Sequence, residues 1–355
     1  MGTRSDGHDP DRPSSRGQGQ GAGGPGPGER RARAGRGPWD RSNRSPGPGK
    51  PPGGPDPGQA DAPSRASGLS RPGAAPAGLW GQWLGTLLYL PVLYGLGWLA
   101  VRPLVGLGLL QGWRVDQVDL LGTLVAFVLL LVSLPTWISR QWGDACHPWL
   151  ELGVVGPPLP ALRALVRGLV KALLLLALVT VVLLVSGQAH WGATASVPAL
   201  LNGLLLLLGV GFAEELLFRG WLWGALRHLF GSGPLAHQRA FLAQAALFSL
   251  VHTRFNLGLA AMLGLLVGLL FLGLALGLQR RADGGLLWGA VGLHGGLVGG
   301  WFVLLAGPLE LAATTPAFLA GPGGSHPNPI GSLVGWIGLG GLIWVRRRWW
   351  PPRRD

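Results

Sequence analysis

The sequence predicts an all-α fold: a polytopic transmembrane helix bundle of about eight spans with a disordered N-terminal tail. Only 13% of the 355 residues are charged, against about 25% in ordinary soluble domains. From residue 79 onward long apolar runs recur, several with about 20 residues between charges, which is the length a helix needs to cross a bilayer core. The apolar residues do not alternate with a period of two, as they would in the strands of a β-barrel. The spans are therefore predicted to be helices.

Residues 1–78 are the predicted disordered tail. Gly or Pro occupies 33 of these 78 positions, and the few large apolar side chains include Trp39 and Leu69. Such a segment cannot bury enough apolar surface to offset the conformational entropy lost on ordering. Its Arg-rich runs, such as residues 30–36, resemble RNA-binding tails, but a solvated basic spacer at anionic lipid head groups is favoured. Membrane lipids, and not nucleic acid, are therefore the expected partners of the basic excess.

The apolar runs divide the rest of the chain into eight predicted spans. Residues 79–190 hold the N-terminal transmembrane helices, residues 191–310 hold the helices with the polar motifs described below, and residues 311–355 hold the last span and a basic C-terminus. The spans are predicted at residues 80–101, 118–138, 166–186, 197–219 (or on to 230), 238–256, 257–279, 285–306 and 330–345.

The distribution of basic residues predicts the orientation. If the tail is cytoplasmic, thirteen Arg or Lys lie in inner loops, whereas only Arg102, Arg114 and Arg254 lie in outer loops. This positive-inside bias predicts a multi-pass membrane protein with both termini in the cytoplasm. The single cysteine, Cys146, excludes an internal disulfide framework and would lie in a reducing cytoplasmic loop.

Two acidic residues, Glu214 and Glu215, lie inside an apolar run. A carboxylate at membrane depth costs roughly 3 kcal/mol, so it predicts a functional site with a partner. Arg219 lies four residues after Glu215 on the same helix face, and the two are predicted to form an ion pair. Glu214 points about 100° away from Glu215 on an α-helix and remains available for chemistry.

The predicted partner of Glu214 is His252. A strong turn signal at residues 231–234 would fold the chain into a helical hairpin with its midpoint near residue 233. Glu214 and His252 both lie 19 residues from that midpoint, which puts them at equal depth, about 28 Å from the turn. His294, set among glycines in a later span, is placed to share this layer.

These three side chains suffice for amide hydrolysis inside a membrane. A carboxylate beside an imidazole can hold and deprotonate a water molecule, as Glu214 and His252 would do. A second imidazole, that of His294, can donate a hydrogen bond to the oxyanion of the attacked carbonyl. The same three groups can instead ligate Zn²⁺ with water in the fourth position, and the residues leave both mechanisms open.

Three motifs resemble the signature motifs of the CPBP intramembrane proteases, which include the type II CAAX prenyl endopeptidases, bacteriocin-processing-like proteins and other bacterial homologues. They are Glu214-Glu215-Leu-Leu-Phe-Arg219, Phe248-Ser-Leu-Val-His252 and Gly292-Leu-His294-Gly-Gly. The resemblance covers roughly residues 197–305 and marks residues 191–310 as the catalytic helices. It implies an intramembrane endopeptidase, commonly labelled a metalloendopeptidase, that acts on a C-terminal or membrane-proximal segment of a protein or peptide.

The resemblance also implies residue roles. Glu214 and His252 would activate the water, His294 would stabilise the oxyanion, and the supporting residues would be Glu215, Arg219 and Phe248. A Zn²⁺ ion held by Glu214, His252 and His294 is the open alternative. Eukaryotic members have Asn four residues after the last histidine, and Val298 stands there in this sequence, so the resemblance supplies no second oxyanion donor.

Two other classes of function use the same residues. A non-catalytic membrane scaffold or immunity protein would keep the site for binding only. A transporter would use Glu214 and His252 as a proton relay, but no internal repeat or matched pair of broken helices favours it.

Overall fold

The computed structural model describes residues 79–113, 115–143, 147–231, 235–324 and 326–351. The predicted disordered tail, residues 1–78, lies outside the described residues. Within them the chain is mostly helical, with one small two-stranded sheet and irregular connections, and the predicted all-α membrane bundle is confirmed.

In the described residues the chain forms ten helices and two short strands, besides three short 3-10 turns, and the fifth helix contains π-helical turns. They are α1 (Leu79–Gly106), α2 (Val115–Trp142), α3 (Pro148–Glu151), α4 (Pro158–Val185), β1 (Ala189–Trp191), α5 (Val197–Phe230), α6 (Ala236–Leu250), α7 (Leu259–Ala282), α8 (Trp288–Leu305), β2 (Leu309–Leu311), α9 (Ala317–Ala320) and α10 (Leu333–Arg346).

Eight of these helices match the eight predicted apolar runs. Six of them in the described residues, namely α1, α2, α4, α5, α7 and α8, are long and apolar enough to cross a membrane. The helices α6 and α10 have 15 and 14 residues, about 22 and 21 Å of rise, which is less than a bilayer core of roughly 30 Å. The chain is therefore a multi-pass membrane protein in which two of the apolar helices are shorter than predicted.

Helix α8 packs between α4 and α5, and its glycines allow both approaches. A Cβ on Gly292 would meet the backbone of Leu165 in α4, and a Cβ on Gly295 would meet the backbone of Leu207 in α5. Small residues let transmembrane helices approach closely. Packing therefore accounts for these glycines, and the approach of α5 to α8 brings the acidic residues of one helix to the histidine of the other.

One face of the bundle collects the basic residues, and we call it the arginine face. The start of α4 joins the end of α7 there through Arg167 and Asp283, whose atoms Nη2 and Oδ1 lie 2.7 Å apart. The segment that follows α10 joins it as well, because Arg281 Nε donates to the carbonyl of Trp349 at 2.6 Å. The ion pair between Arg167 and the buried Asp283 was not predicted, because the two residues are 116 positions apart in the sequence and no local spacing relates them.

The opposite face carries the short sheet and the longer connections. Strand β1 follows α4 and pairs antiparallel with β2, which follows α8. The start of α5, the turn at residues 251–258 and the connections at residues 306–324 and 326–332 lie on this side as well. We call this side the sheet face.

Candidate active site

The two acidic residues occupy a short α-helical stretch between wider turns of α5. Gly211–Glu215 is α-helical, whereas Leu206–Val210 and Leu216–Leu222 are π-helical. Such π turns are rare and occur often at functional sites, because the extra residue changes which side chains face inward. A Cβ on Gly211 would lie 2.6 Å from the Cα of Gly295, so glycines on both helices hold this stretch against α8.

Glu215 is fully buried and binds two other side chains through one oxygen. Its Oε1 accepts a hydrogen bond from Arg219 Nη1 at 2.8 Å and faces His294 Nδ1 at 2.9 Å. The first contact is the predicted i,i+4 ion pair, and the second joins α5 to α8. Because an ionised carboxylate only accepts hydrogen bonds, Nδ1 of His294 carries a proton, and the ring directs Nε2 toward Glu214.

Glu214 lies between the two imidazoles. Its Oε2 is 3.4 Å from His252 Nε2 and 3.7 Å from His294 Nε2. About a quarter of the Glu214 and His252 side chains is exposed, whereas His294 is buried. His252 Nδ1 lies 2.7 Å from the carbonyl oxygen of Phe248 and so must donate to it, which leaves the lone pair of a neutral ring at Nε2.

Phe248 lies beneath this group of polar side chains. Its ring is fully buried and its centroid lies 4.9 Å from that of His252 and 5.7 Å from that of His294. The Arg219 guanidinium carbon lies 4.1 Å from the same centroid. The structure therefore brings together all six residues that the sequence predicted for the site.

Arg280 is a site-supporting residue that sequence reasoning counted only as a cytoplasmic charge. It is 2% exposed, and its guanidinium donates to the carbonyl oxygens of Arg219 and Gly285 and to those of Glu151 and Leu152 near α3. It thereby ties the π-helical turn that carries Arg219 to α7 and α3. The sequence held only a weak signal for this role, a pair of arginines at the end of an apolar run.

The site forms the end of a cavity of about 670 Å³. Glu214, His252 and His294 line it together with apolar side chains, among them Val298 and Trp301. Val298 lines the cavity four residues after His294, and its aliphatic side chain offers no hydrogen-bond donor there. Three further polar residues line it, which the sequence had placed in outer loops or left unassigned: Arg254, His326 and Asn328.

Glu214, His252 and His294 offer the kinds of atoms that ligate Zn²⁺ in proteins. The two Nε2 atoms and one carboxylate are atoms that Zn²⁺ accepts, and each Nδ1 is held by a second group, as is usual for ligating histidines. Across the described residues, however, no three or more His, Cys, Asp and Glu side chains are arranged as a group that could hold a metal ion. The Zn²⁺ alternative at Glu214, His252 and His294 gains no support from this arrangement and stays a prediction.

Fold and site together define a class: a polytopic helical membrane protein in which two adjacent acidic residues, one of them fully buried, meet two histidines at the end of a cavity. Residues 195–299 match the family model described as "Type II CAAX prenyl endopeptidase Rce1-like". This match contains all three motifs and confirms the predicted resemblance to the CPBP intramembrane proteases. Residues 71–145 match a second family model, described as "Domain of unknown function (DUF8676)". No curated protein and no solved structure matches the chain significantly.

Proposed function

We propose that the protein is an intramembrane endopeptidase that hydrolyses peptide bonds of membrane-associated proteins or peptides with a water molecule activated by Glu214 and His252. The observation that carries the proposal is the meeting of one Glu214 oxygen with the Nε2 atoms of His252 and His294, at 3.4 and 3.7 Å. The match of residues 195–299 to a peptidase family supports the reaction class.

In the proposed reaction, a water molecule between Glu214 and His252 donates one hydrogen bond to each. His252 can accept because Phe248 holds its other nitrogen as the donor. Glu214 takes a proton as the water oxygen forms a bond to the carbonyl carbon of the substrate. The same proton then passes to the amide nitrogen as the C–N bond breaks, so the products are a carboxyl group and an amine.

His294 is assigned to the oxyanion of the tetrahedral intermediate. Since its Nδ1 donates to Glu215, its Nε2 can donate as well only when the ring is an imidazolium. The carboxylate of Glu215 stabilises that cation, and the charges of Glu214, Glu215, Arg219 and the imidazolium then sum to zero. Glu215 and Arg219 are therefore positioning residues, which act through His294.

The proposed partners are membrane lipids and a protein or peptide substrate with a C-terminal or membrane-proximal cleavage segment; no nucleic acid is expected. The proposed location is the bacterial cytoplasmic membrane with both termini in the cytoplasm, as the distribution of arginines predicts. The apolar walls of the cavity suit a segment that comes from the membrane, and nothing in them requires a prenyl group.

The test uses the purified full-length protein in detergent with a library of fluorogenic peptides. Loss of a general base costs roughly 10²- to 10⁴-fold in rate, so Glu214→Gln and His252→Ala should lose at least about a hundredfold in kcat/KM. The matched control is His190→Ala, since His190 pairs with Glu310 on exposed strands outside the cavity. Cleavage that continues unchanged in both site variants would refute the mechanism.

A further inference from the structure

The cavity extends from the site toward only one face of the bundle. Along α8 its lining residues run from His294 through Val298 and Phe302 to the last turn of the helix. Along α5 they run from Glu214 back toward the start of that helix, which lies on the same side. Since α8 and α5 are antiparallel, both sets lead away from the site toward the sheet face.

Exposure changes in the same direction. His294 is 4% exposed and Phe302 is 38% exposed. Arg254, Ala306 and His326, which also line the cavity, are exposed and lie in connections on the sheet face. The indole Nε1 of Trp301 donates to the carbonyl oxygen of Pro327 at 2.7 Å and holds the connection after α9 at this rim.

The other side of the site is filled by side chains. Between Glu215 and the arginine face, α5 carries Arg219, Trp221 and Leu226, which are at most 1% exposed. Arg280 binds the carbonyl oxygens of Arg219 and Leu152 across the same layer. A substrate reaching Glu214 from the arginine face would have to displace this packed layer, whereas the sheet face offers an existing opening.

The charges of the two faces indicate which of them is cytoplasmic. Among the described residues, the arginine face carries the basic residues at the ends of α2, α5, α7 and α10 and at the starts of α4 and α6, whereas the described Arg and Lys of the sheet face are Arg102 and Arg254. Cytoplasmic ends of transmembrane helices carry the excess of Lys and Arg. The sheet face is therefore the extracytoplasmic one.

We infer that the active-site cavity opens to the extracytoplasmic side and takes its substrate from there, so that the cleaved segment lies outside the cytoplasm and the water-soluble product is released outside. This inference rests on the proposed peptidase function for its second half only. The side on which the cavity opens is a property of the fold and can be measured without any activity.

The first experiment maps the opening with single cysteines in the full-length Cys146→Ser chain, which then has no other thiol. Ala306→Cys reports on the rim, Val298→Cys on the cavity wall, and Arg239→Cys on the arginine face. A small membrane-impermeant thiol reagent applied to intact cells should label the first two and should label Arg239→Cys only after permeabilisation. Leu293→Cys, one residue from His294 but buried outside the cavity, is the control that should stay unlabelled.

The reverse pattern, with Arg239→Cys labelled in intact cells and Ala306→Cys only after permeabilisation, would overturn the assigned side. Labelling of Ala306→Cys but not of Val298→Cys from outside would overturn the open path between the rim and the site.

The second experiment adds a water-soluble peptide, selected as a substrate in detergent, to right-side-out and to inverted membrane vesicles that contain the protein. Cleavage is expected in right-side-out vesicles and at least tenfold slower in intact inverted ones. Cleavage in detergent together with cleavage only in inverted vesicles would overturn the entry side and keep the peptidase. Absence of cleavage in detergent across the library would instead refute the proposed function, while the cysteine labelling would still decide the side of the opening.

Discussion

The guanidinium carbon of Arg219 lies 4.1 Å from the ring centroid of Phe248, so a fully buried cation rests on an aromatic ring that also borders both histidines of the site. In the described part of the chain, Nε and Nη2 of Arg219 have no hydrogen-bond partner. The carboxylate of Glu215 and the ring face of Phe248 are thus among the groups that compensate its charge, and the ring of Phe218, whose centroid lies 5.9 Å from the guanidinium carbon, is a more distant one. One aromatic residue thereby connects the structural ion pair to the proposed water-activating residues.

Phe248→Leu should destabilise the protein and slow cleavage. Leu keeps most of the apolar volume but removes the ring face, and a desolvated cation–π contact is worth about 2 kcal/mol. We expect a lower midpoint of thermal unfolding in detergent and a lower kcat. Phe255→Leu is the matched control, because Phe255 is 87% exposed and its replacement should leave both quantities unchanged. Equal midpoints for Phe248→Leu and the parent protein would show that the ring does not support Arg219.

Replacing one partner of the Glu215–Arg219 ion pair should lower the free energy of unfolding more than replacing both partners. Arg219→Met leaves a carboxylate buried without its cation, which typically costs about 3–5 kcal/mol. In the Glu215→Gln/Arg219→Met double variant no buried charge is left over, so its unfolding midpoint should lie above that of Arg219→Met. Thermal unfolding of the two single variants and the double variant completes the cycle. Strictly additive losses would mean that the two side chains are not energetically coupled.

Val298→Asn should accelerate cleavage. Val298 lines the cavity four residues after His294, and an oxyanion donor is worth roughly 10²- to 10³-fold when it is optimally placed. An unoptimised amide should give a smaller gain, which we expect to be about tenfold in kcat with little change in KM. Val298→Ala is the control, because it changes the size of the side chain without adding a hydrogen-bond donor. A Val298→Asn enzyme no faster than Val298→Ala would show that the oxyanion does not lie near this position.

Chelation should change the activity less than about twofold, because the Glu214–His252 pair can act as the base without a metal. Metal analysis of the purified protein should then give well under one zinc ion per chain, equal in the parent protein and in His294→Ala. Stoichiometric zinc in the parent protein that is lost in His294→Ala would assign the three side chains to a metal site and replace the mechanism proposed above.

Local spacing was enough to predict several features of the site. The equal depth of Glu214 and His252 follows from the rise per residue on either side of one turn, and the Glu215–Arg219 pair follows from the period of the helix. The equal depth and the ion pair each depend on a single helix or a single hairpin, so both can be predicted from the spacing of residues in the sequence. The position of His294 inside a later span placed it near the same layer, and the resemblance of the three motifs then implied the same set of acids and histidines.

The contact of His294 with Glu215, the four carbonyl contacts of Arg280 and the face on which the cavity opens were decided by tertiary structure alone. Each depends on the rotation of α5 and α8 about their axes and on how closely they approach. That rotation is set by π-helical turns and by glycine contacts between helices distant in sequence. Hydrophobicity and helical period fix the length and depth of a transmembrane helix but leave its rotation about its own axis free. The sequence by itself therefore determined which residues lie at the same depth. Only the packing of the helices decided which of their atoms are in contact.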